Sequence, residues 1–412
     1  MWRLIYNAFV TLTLPLFVAF GLTKQKIRKN LFERLVPRAS AHPSVRPIWV
    51  HGASVGEAMI AENLIQQIIK AAITDEFLIT TNTYYTKDLL AKRQGNKSYV
   101  AALPLDIIWS VKRFLNQWEP RALLIVETEI WPNLVWEVKR RGLPVIILNG
   151  RISDSTLSNY RRIAFFMRTV LSQVDLVLAQ SQEHVDRFIS IGMDPKRVIN
   201  AGNIKYFRDI EEKASNNEKE NIVTFGSIKE KELHAVYEVT RKIKSAFPGY
   251  TVYIAPRELH LTSDIVRDLS PMFRVARHSH LPDRPPPDID VVVVDTIGDL
   301  FGIYARSKIA FVGGSLAPYG GQNLLEPLFF GTPVLFGPFV DNFRNIADRI
   351  IEAKAGGMVQ DADELAGKLA DILHDDNLRR EMGERGKLII KEQRDVMNKT
   401  VEYIAAVIKA NR

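Results

Sequence analysis

Two acids, an aromatic and an amide crowd seven residues of this chain, Glu127-Thr128-Glu129-Ile130-Trp131-Pro132-Asn133, where an apolar run gives way to a helical pattern. Carboxylates so placed could move a proton or offset developing charge, and helix capping alone would not need so many. A further acid, Glu57, closes the run His51-Gly52-Ala53-Ser54-Val55-Gly56, whose small residues let the backbone turn sharply into a helix. On its own that position suits an acid that complements the helix dipole as well as a reactive one. Arg151, in Asn149-Gly150-Arg151-Ile152-Ser153, could reach an anion or pair with an acid. In the second half, Pro256-Arg257, Thr296-Ile297-Gly298-Asp299 and Gly313-Gly314-Ser315 each follow an apolar run. Glycine allows close backbone approach, helix starts offer amides, and Arg257 supplies a fork for phosphate or carboxylate. Gly320-Gly321-Gln322-Asn323-Leu324-Leu325-Glu326-Pro327 is the most specific stretch. A Gly-Gly turn into a short helix would aim amides at a phosphate, and Glu326 one turn in could accept both hydroxyls of a ribose.

These residues share a context. Short apolar runs alternate with longer helical stretches, the rhythm of a parallel sheet, and several runs are apolar at consecutive positions, as when helices cover both faces. Expected strands are 48–51, 77–81, 122–126, 145–148 and 176–179, then 222–225, 252–255, 291–295, 309–312 and 333–336. In such sheets ligands bind beyond the carboxyl ends of the strands, where the residues above stand. A chain of 412 residues exceeds what one hydrophobic core sustains. The charged, turn-rich stretch 211–221 reads as a linker between an N-terminal domain, 24–210, and a C-terminal domain, 222–412. The expected fold class is α/β: two Rossmann-like, doubly wound parallel sheets facing a cleft. Ahead of them, residues 1–23 read as a membrane anchor, uncharged from Leu4 to Thr23 and followed by Lys24, Lys26, Arg28 and Lys29. That bias places the domains on the cytoplasmic side. A helix lying in the interface is the alternative reading.

Composition narrows the chemistry. The absence of cysteine excludes thiolate catalysis, disulfides and Cys-ligated metals. The formal charge of +8, from 55 Lys plus Arg against 47 Asp plus Glu, favours acidic partners. No basic block specifies nucleic acid. Of the Asp-x-Asp spacings that could hold a metal with a sugar nucleotide, Asp288-Ile289-Asp290 precedes a strand and Asp361-Ala362-Asp363 resembles a helix cap. His278-Ser279-His280 has no acid close in sequence. No metal site and no cofactor is expected, so charge on a leaving phosphate falls to Arg257, a lysine and helix amides.

In order and spacing, ASVGE at 53–57, LPLD at 103–106, ETEIWPN at 127–133, NGRIS at 149–153, GNIK at 202–205, APR at 255–257, DTIGDL at 295–300, VGGS at 312–315 and GGQNLLEP at 320–327 resemble the 3-deoxy-manno-octulosonic acid (Kdo) transferases. These are inverting, metal-independent glycosyltransferases of the two-domain GT-B class. The resemblance implies that Glu57 is the general base, that Glu127 and Lys205 stabilise the transition state, and that Pro256, Arg257, Ile297, Gly298, Asp299, Asn323, Leu324, Leu325 and Glu326 hold the CMP of CMP-Kdo. It implies lipid A precursor as acceptor and the inner membrane as location. Lys24 to Lys29, with Arg34 and Arg38, would then attract lipid phosphates and anionic headgroups, at about 1 kcal/mol each. The chain departs from the family pattern at Gln322, at Asp299, at Glu258-Leu259-His260 and over Gly226 to Glu230. Two other readings are a GT-B transferase using another nucleotide sugar, such as UDP-N-acetylhexosamine, on a lipid, and an inactive membrane-tethered binding protein of the same fold.

Overall fold

The computed structural model describes residues 1–38, 45–74, 76–93, 98–207, 219–282 and 286–411. Seven strands, β1 Ile48–His51, β2 Phe77–Thr81, β3 Ser98–Ala102, β4 Ala122–Val126, β5 Val145–Gly150, β6 Leu176–Ala179 and β7 Val198–Asn200, form one sheet in the order β3-β2-β1-β4-β5-β6-β7. Seven more, β8 Ile222–Ile228, β9 Thr251–Pro256, β10 Val275–Arg277, β11 Val291–Val293, β12 Ile309–Val312, β13 Val334–Phe336 and β14 Gly356–Met358, form a second in the order β10-β11-β9-β8-β12-β13-β14. Neighbours throughout are parallel. The central strands read as unbroken apolar runs because each face of the sheet is covered. In the first sheet Trp49, Leu123, Ile125, Val145 and Ile147 pack on one side, while Ile48, Val50, Leu124, Ile146 and Leu148 pack on the other.

The expected strands all form, with ends shifted by up to three residues. The sequence reading missed β3, β7, β10 and β14, which lie at the four sheet edges. Edge strands are short and half-exposed, so they carry no continuous apolar run.

Two compact units divide the chain, Met1–Asp209 with Gln393–Arg412, and Ile210–Glu392. This corrects the assignment of 222–412 to a single domain. The last helix, Asp376–Ala410, ends in the first unit, where Met397, Val401, Ile404 and Ile408 are buried with Ile48, Val50 and Leu64. At about 1.5–3 kcal/mol per buried aliphatic side chain, that burial decides the helix's allegiance over sequence position. Up to residue 218 the expected linker lies outside the described residues.

The apolar N-terminus is the helix α1, Trp2–Thr23, followed directly by α2, Gln25–Leu35. α1 is long and apolar enough to cross a membrane. One stripe of it nevertheless packs on the first unit: Tyr6 on Trp136 and Phe166, and Val10, Leu14 and Val18 on Leu31, Leu105 and Ile107.

Candidate active site

In the first sheet the strand order reverses between β1 and β4, which are direct neighbours. The crevice at such a reversal is where a doubly wound sheet binds its ligand. The loop after β1 enters the helix α3, Val55–Lys70, whose N-cap is Ser54. Gly52 lets the helix start pack close to this turn, since a Cβ there would stand 3.0 Å from the backbone of Glu57. The Glu57 amide donates to Ser54 Oγ at 3.3 Å, and the Glu57 carboxylate accepts from the Ala53 amide at 2.6 Å and from the Ser54 hydroxyl at 3.1 Å. Glu57 thus folds back over the start of its own helix and stays half-buried, held in one orientation by the Ala53 amide and the Ser54 hydroxyl.

Glu127 follows β4 with φ at +62°, a left-handed conformation that costs a non-glycine residue roughly 1–2 kcal/mol. Its amide donates to Leu148 O at 2.8 Å, so pairing with β5 enforces the turn. Such strain concentrates where a side chain must be aimed. Burial raises the pKa of Glu127 above the ordinary carboxylate value, the Glu57 carboxylate pushes the same way, and Arg151 and Lys205 oppose them. Glu129 is also raised, by burial first and then by Glu57, against hydrogen bonds from Asn82 at 3.2 Å and Trp131 at 3.2 Å and the charge of Arg34. Three carboxylates and three cations therefore converge at one strand reversal.

Lys205 arrives through a relay. The buried Asn149, itself at φ +54°, accepts the Ile204 amide on Oδ1 at 3.1 Å, and its carbonyl accepts from Gln180 at 3.0 Å. Gln180 in turn accepts from Asn203 at 3.3 Å, and Asn203 accepts the Lys205 amide at 2.9 Å. Gly202 completes the turn at φ +89° with Val396 against its Cα. The sequence reading named the acids and, through the resemblance, Lys205, but did not name Asn149, Gln180 and Asn203 as the frame of that lysine. It also missed Asn82 and Thr128, whose hydroxyl accepts the Arg151 amide at 3.2 Å. A signal for Asn149 existed, because a polar residue among buried apolar neighbours at a strand end needs partners.

Other expectations resolve differently. Asn133 belongs to the scaffold: buried, it donates to Asp106 O at 2.8 Å, while Asp106 caps the helix Pro132–Arg140 by accepting the Asn133 and Leu134 amides at 3.0 and 2.8 Å. Arg34 does not simply face solvent, for it donates to Leu103 O at 2.9 Å and feels Glu129. His51, at the end of β1, is fully buried and bonded to Thr80, and burial holds its pKa down at about 4.

In the second unit the candidate donor residues stand on the carboxyl rim. Pro256 ends β9, with Arg257 exposed after it and its amide donating to Ile228 O at 2.8 Å. Ile297 is 88 % exposed, an apolar side chain offered to solvent. Gly298 follows at φ +105°, and Asp299 starts the helix Leu300–Arg306 without capping it, with His278 Nε2 3.8 Å from its carboxylate. Asn323 donates to Glu326 Oε1 at 3.2 Å and accepts the Leu325 amide at 3.2 Å. Leu324 and Leu325, between them, are completely buried.

The Gly313-Gly314-Ser315 turn is likewise not an open phosphate cradle. The buried Glu232 carboxylate already accepts the Gly314, Ser315 and Leu316 amides at 2.7, 2.8 and 2.8 Å, besides that of Lys229 at 2.9 Å. The Gly321 amide is also used, by Gly314 O at 2.7 Å. Lys229, in the stretch where the chain departs from the family pattern, and Lys231 just after it lie 5.5 and 6.0 Å from the Tyr319 ring. Asp288 and Asp290 pair with Arg274 and Lys244, at 3.1 and 2.8 Å, and Asp361 caps a helix by accepting the Glu364 amide at 2.9 Å.

Among solved structures, a glycosyltransferase from Rickettsia africae ESF-5 superposes with a TM-score of 0.54 at 13% identity, over 89% of this chain and 99% of that one. Two parallel doubly wound sheets place the chain in the GT-B-like fold class. The 3-Deoxy-D-manno-octulosonic-acid transferase (kdotransferase) family matches residues 29–208. The 3-deoxy-D-manno-octulosonic acid transferase of Haemophilus influenzae is 28% identical over 100% of both chains, and that of Bordetella pertussis 30% identical over 80% of each. A bifunctional glycosyltransferase/methyltransferase of Fusobacterium nucleatum is 28% identical over 96% of this chain, which spans 64% of its length. The chain belongs to the Kdo transferase family.

Proposed function

We propose that this enzyme moves Kdo from CMP-Kdo to lipid A precursor (lipid IVA) at the cytoplasmic face of the inner membrane, with inversion and without a metal or cofactor. The observation that carries the reading is the convergence of Glu57, Glu127, Arg151 and Lys205 at the β1/β4 reversal. An acceptor hydroxyl attacks the anomeric carbon of Kdo while the bond from that carbon to the CMP phosphate oxygen breaks. The hydroxyl proton passes to Glu57, the bonding electrons leave with CMP, and Glu127 and Lys205 balance the charge that develops. Glu57 is held by its helix start in a fixed orientation, which suits a base that must meet one hydroxyl. On the donor side Arg257 offers its fork to phosphate, Pro256, Ile297, Gly298 and Asp299 flank it, and Asn323, Leu324, Leu325 and Glu326 form the ribose side, with polar groups from Asn323 and Glu326. The exposed apolar face of α1, with the cations that follow it, supports membrane attachment.

The test supplies the full chain with freshly made CMP-Kdo and tetraacylated lipid A precursor in the presence of a chelator, and reads product mass and released nucleotide. The expected outcome is Kdo-bearing lipid with CMP release. Turnover only with a UDP-sugar overturns the donor assignment, and strict dependence on Mg²⁺ overturns the metal-free chemistry.

A further inference from the structure

A helix of 22 residues is about 33 Å long, enough to cross a bilayer, yet α1 is fastened to the first unit along most of that length. Its first two turns are tied by polar contacts: Tyr6 OH donates to Asp106 at 2.7 Å, Asn7 and Asn133 exchange hydrogen bonds at 3.0 and 2.9 Å, and Arg3 pairs with the fully buried Glu137. Farther along, Val10, Leu14 and Val18 continue the same stripe over Leu31, Leu105 and Ile107. A helix with both ends seated on one folded unit cannot have those ends on opposite sides of a membrane. Pulling α1 across would also take Tyr6 from Asp106 and leave the buried Glu137 with Arg140 alone, and a buried polar group that loses its partner costs about 1–3 kcal/mol.

The opposite stripe is apolar and open. Ile5, Phe9, Leu12, Leu16 and Phe20 recur at helical spacing and are 51, 63, 78, 73 and 55 % exposed. Phe165 is also open, 73 % exposed, while its neighbour Phe166 packs on Trp2 and Tyr6. Exposed cations follow at once, with Lys24 over the Phe20 ring at 5.7 Å and Arg28 and Lys29 on α2. An apolar stripe flanked by cations matches the acyl boundary and headgroups of an anionic leaflet.

We infer that α1 is an in-plane anchor: it stays docked on the first unit, lies in the cytoplasmic leaflet with the Ile5 to Phe20 stripe among the acyl chains, and does not cross the bilayer. The inference rests on the membrane attachment proposed above and replaces the spanning anchor that hydropathy alone suggests. The absence of native cysteine makes it testable by single labels. A cysteine in a short tag ahead of Met1 is compared with Asp371→Cys, an exposed reference on the second unit, using a membrane-impermeant maleimide on spheroplasts and on inverted inner-membrane vesicles. Both cysteines are expected to label in inverted vesicles and to be protected in spheroplasts. Labelling of the tag from outside spheroplasts, or its protection from both sides, overturns the in-plane anchor while leaving attachment intact. Recovery of the chain in the soluble fraction defeats attachment itself. As a second measurement, the pair Asn7→Cys and Asn133→Cys is expected to form a disulfide in membrane-bound protein as readily as in detergent. Loss of that cross-link on membrane binding overturns docking.

Discussion

At Glu57 one carboxylate closes a helix and, in the proposed reaction, receives a proton. The two duties separate by substitution, because the glutamine amide oxygen can still accept from the Ala53 amide and the Ser54 hydroxyl but cannot act as a base. Glu57→Gln is expected to melt close to the parent while transfer falls about 10²- to 10⁴-fold. Product mass against time and a thermal melt check both halves, and retained turnover removes Glu57 from the reaction. Glu127 predicts a pH effect. Its folded pKa is raised above the ordinary value by burial and by Glu57, so the stability it contributes is present below that ordinary value and lost as pH rises through the raised one. Glu127→Gln is therefore expected to be more stable than the parent at pH 8, with the difference vanishing below about pH 4, as read from melting temperature across that range.

At the scale of elements, loops are held by side chains distant in sequence. The Glu232 carboxylate fills an anion nest of four backbone amides and so closes it to phosphate. Glu232→Ala leaves those amides buried and unpaired, at a cost on the order of 3 kcal/mol or more by denaturant unfolding of the second unit. The final helix makes a separate claim on the first unit. Ile404 is fully buried beneath the first sheet, and Ile404→Ala is expected to cost about 2–5 kcal/mol, with the loss appearing in the transition of the first unit. If only the second unit is destabilised, the helix end has been assigned to the wrong core.

For the molecule as a whole, a net charge of +8 and an apolar helix face act together. Binding to anionic vesicles is expected to weaken, without being abolished, as salt shortens the reach of Lys24, Arg28 and Lys29, because burial of the Ile5 to Phe20 stripe is insensitive to screening. Co-sedimentation across a salt series checks this, and complete release at high salt would show that charge alone holds the chain. The central strands and the loops that follow them were legible in the amino-acid order. A strand covered on both faces must be a continuous apolar run, and a ligand-binding turn at its end must contain glycine and polar residues. Glu57, Glu127 and Arg257 stand out by that local rule, and the motif order carries the family. The edge strands β3, β7, β10 and β14 were not legible, since half-exposed segments obey no such rule. Only the folded chain decided that Glu232 occupies the Gly313 to Ser315 turn, that Leu324 and Leu325 point inward, that Asn149 frames Lys205, that Gln393–Arg412 return to the first unit and that α1 lies docked. Each of these depends on groups brought together from far apart in the chain, and no periodicity in a short window records such a meeting.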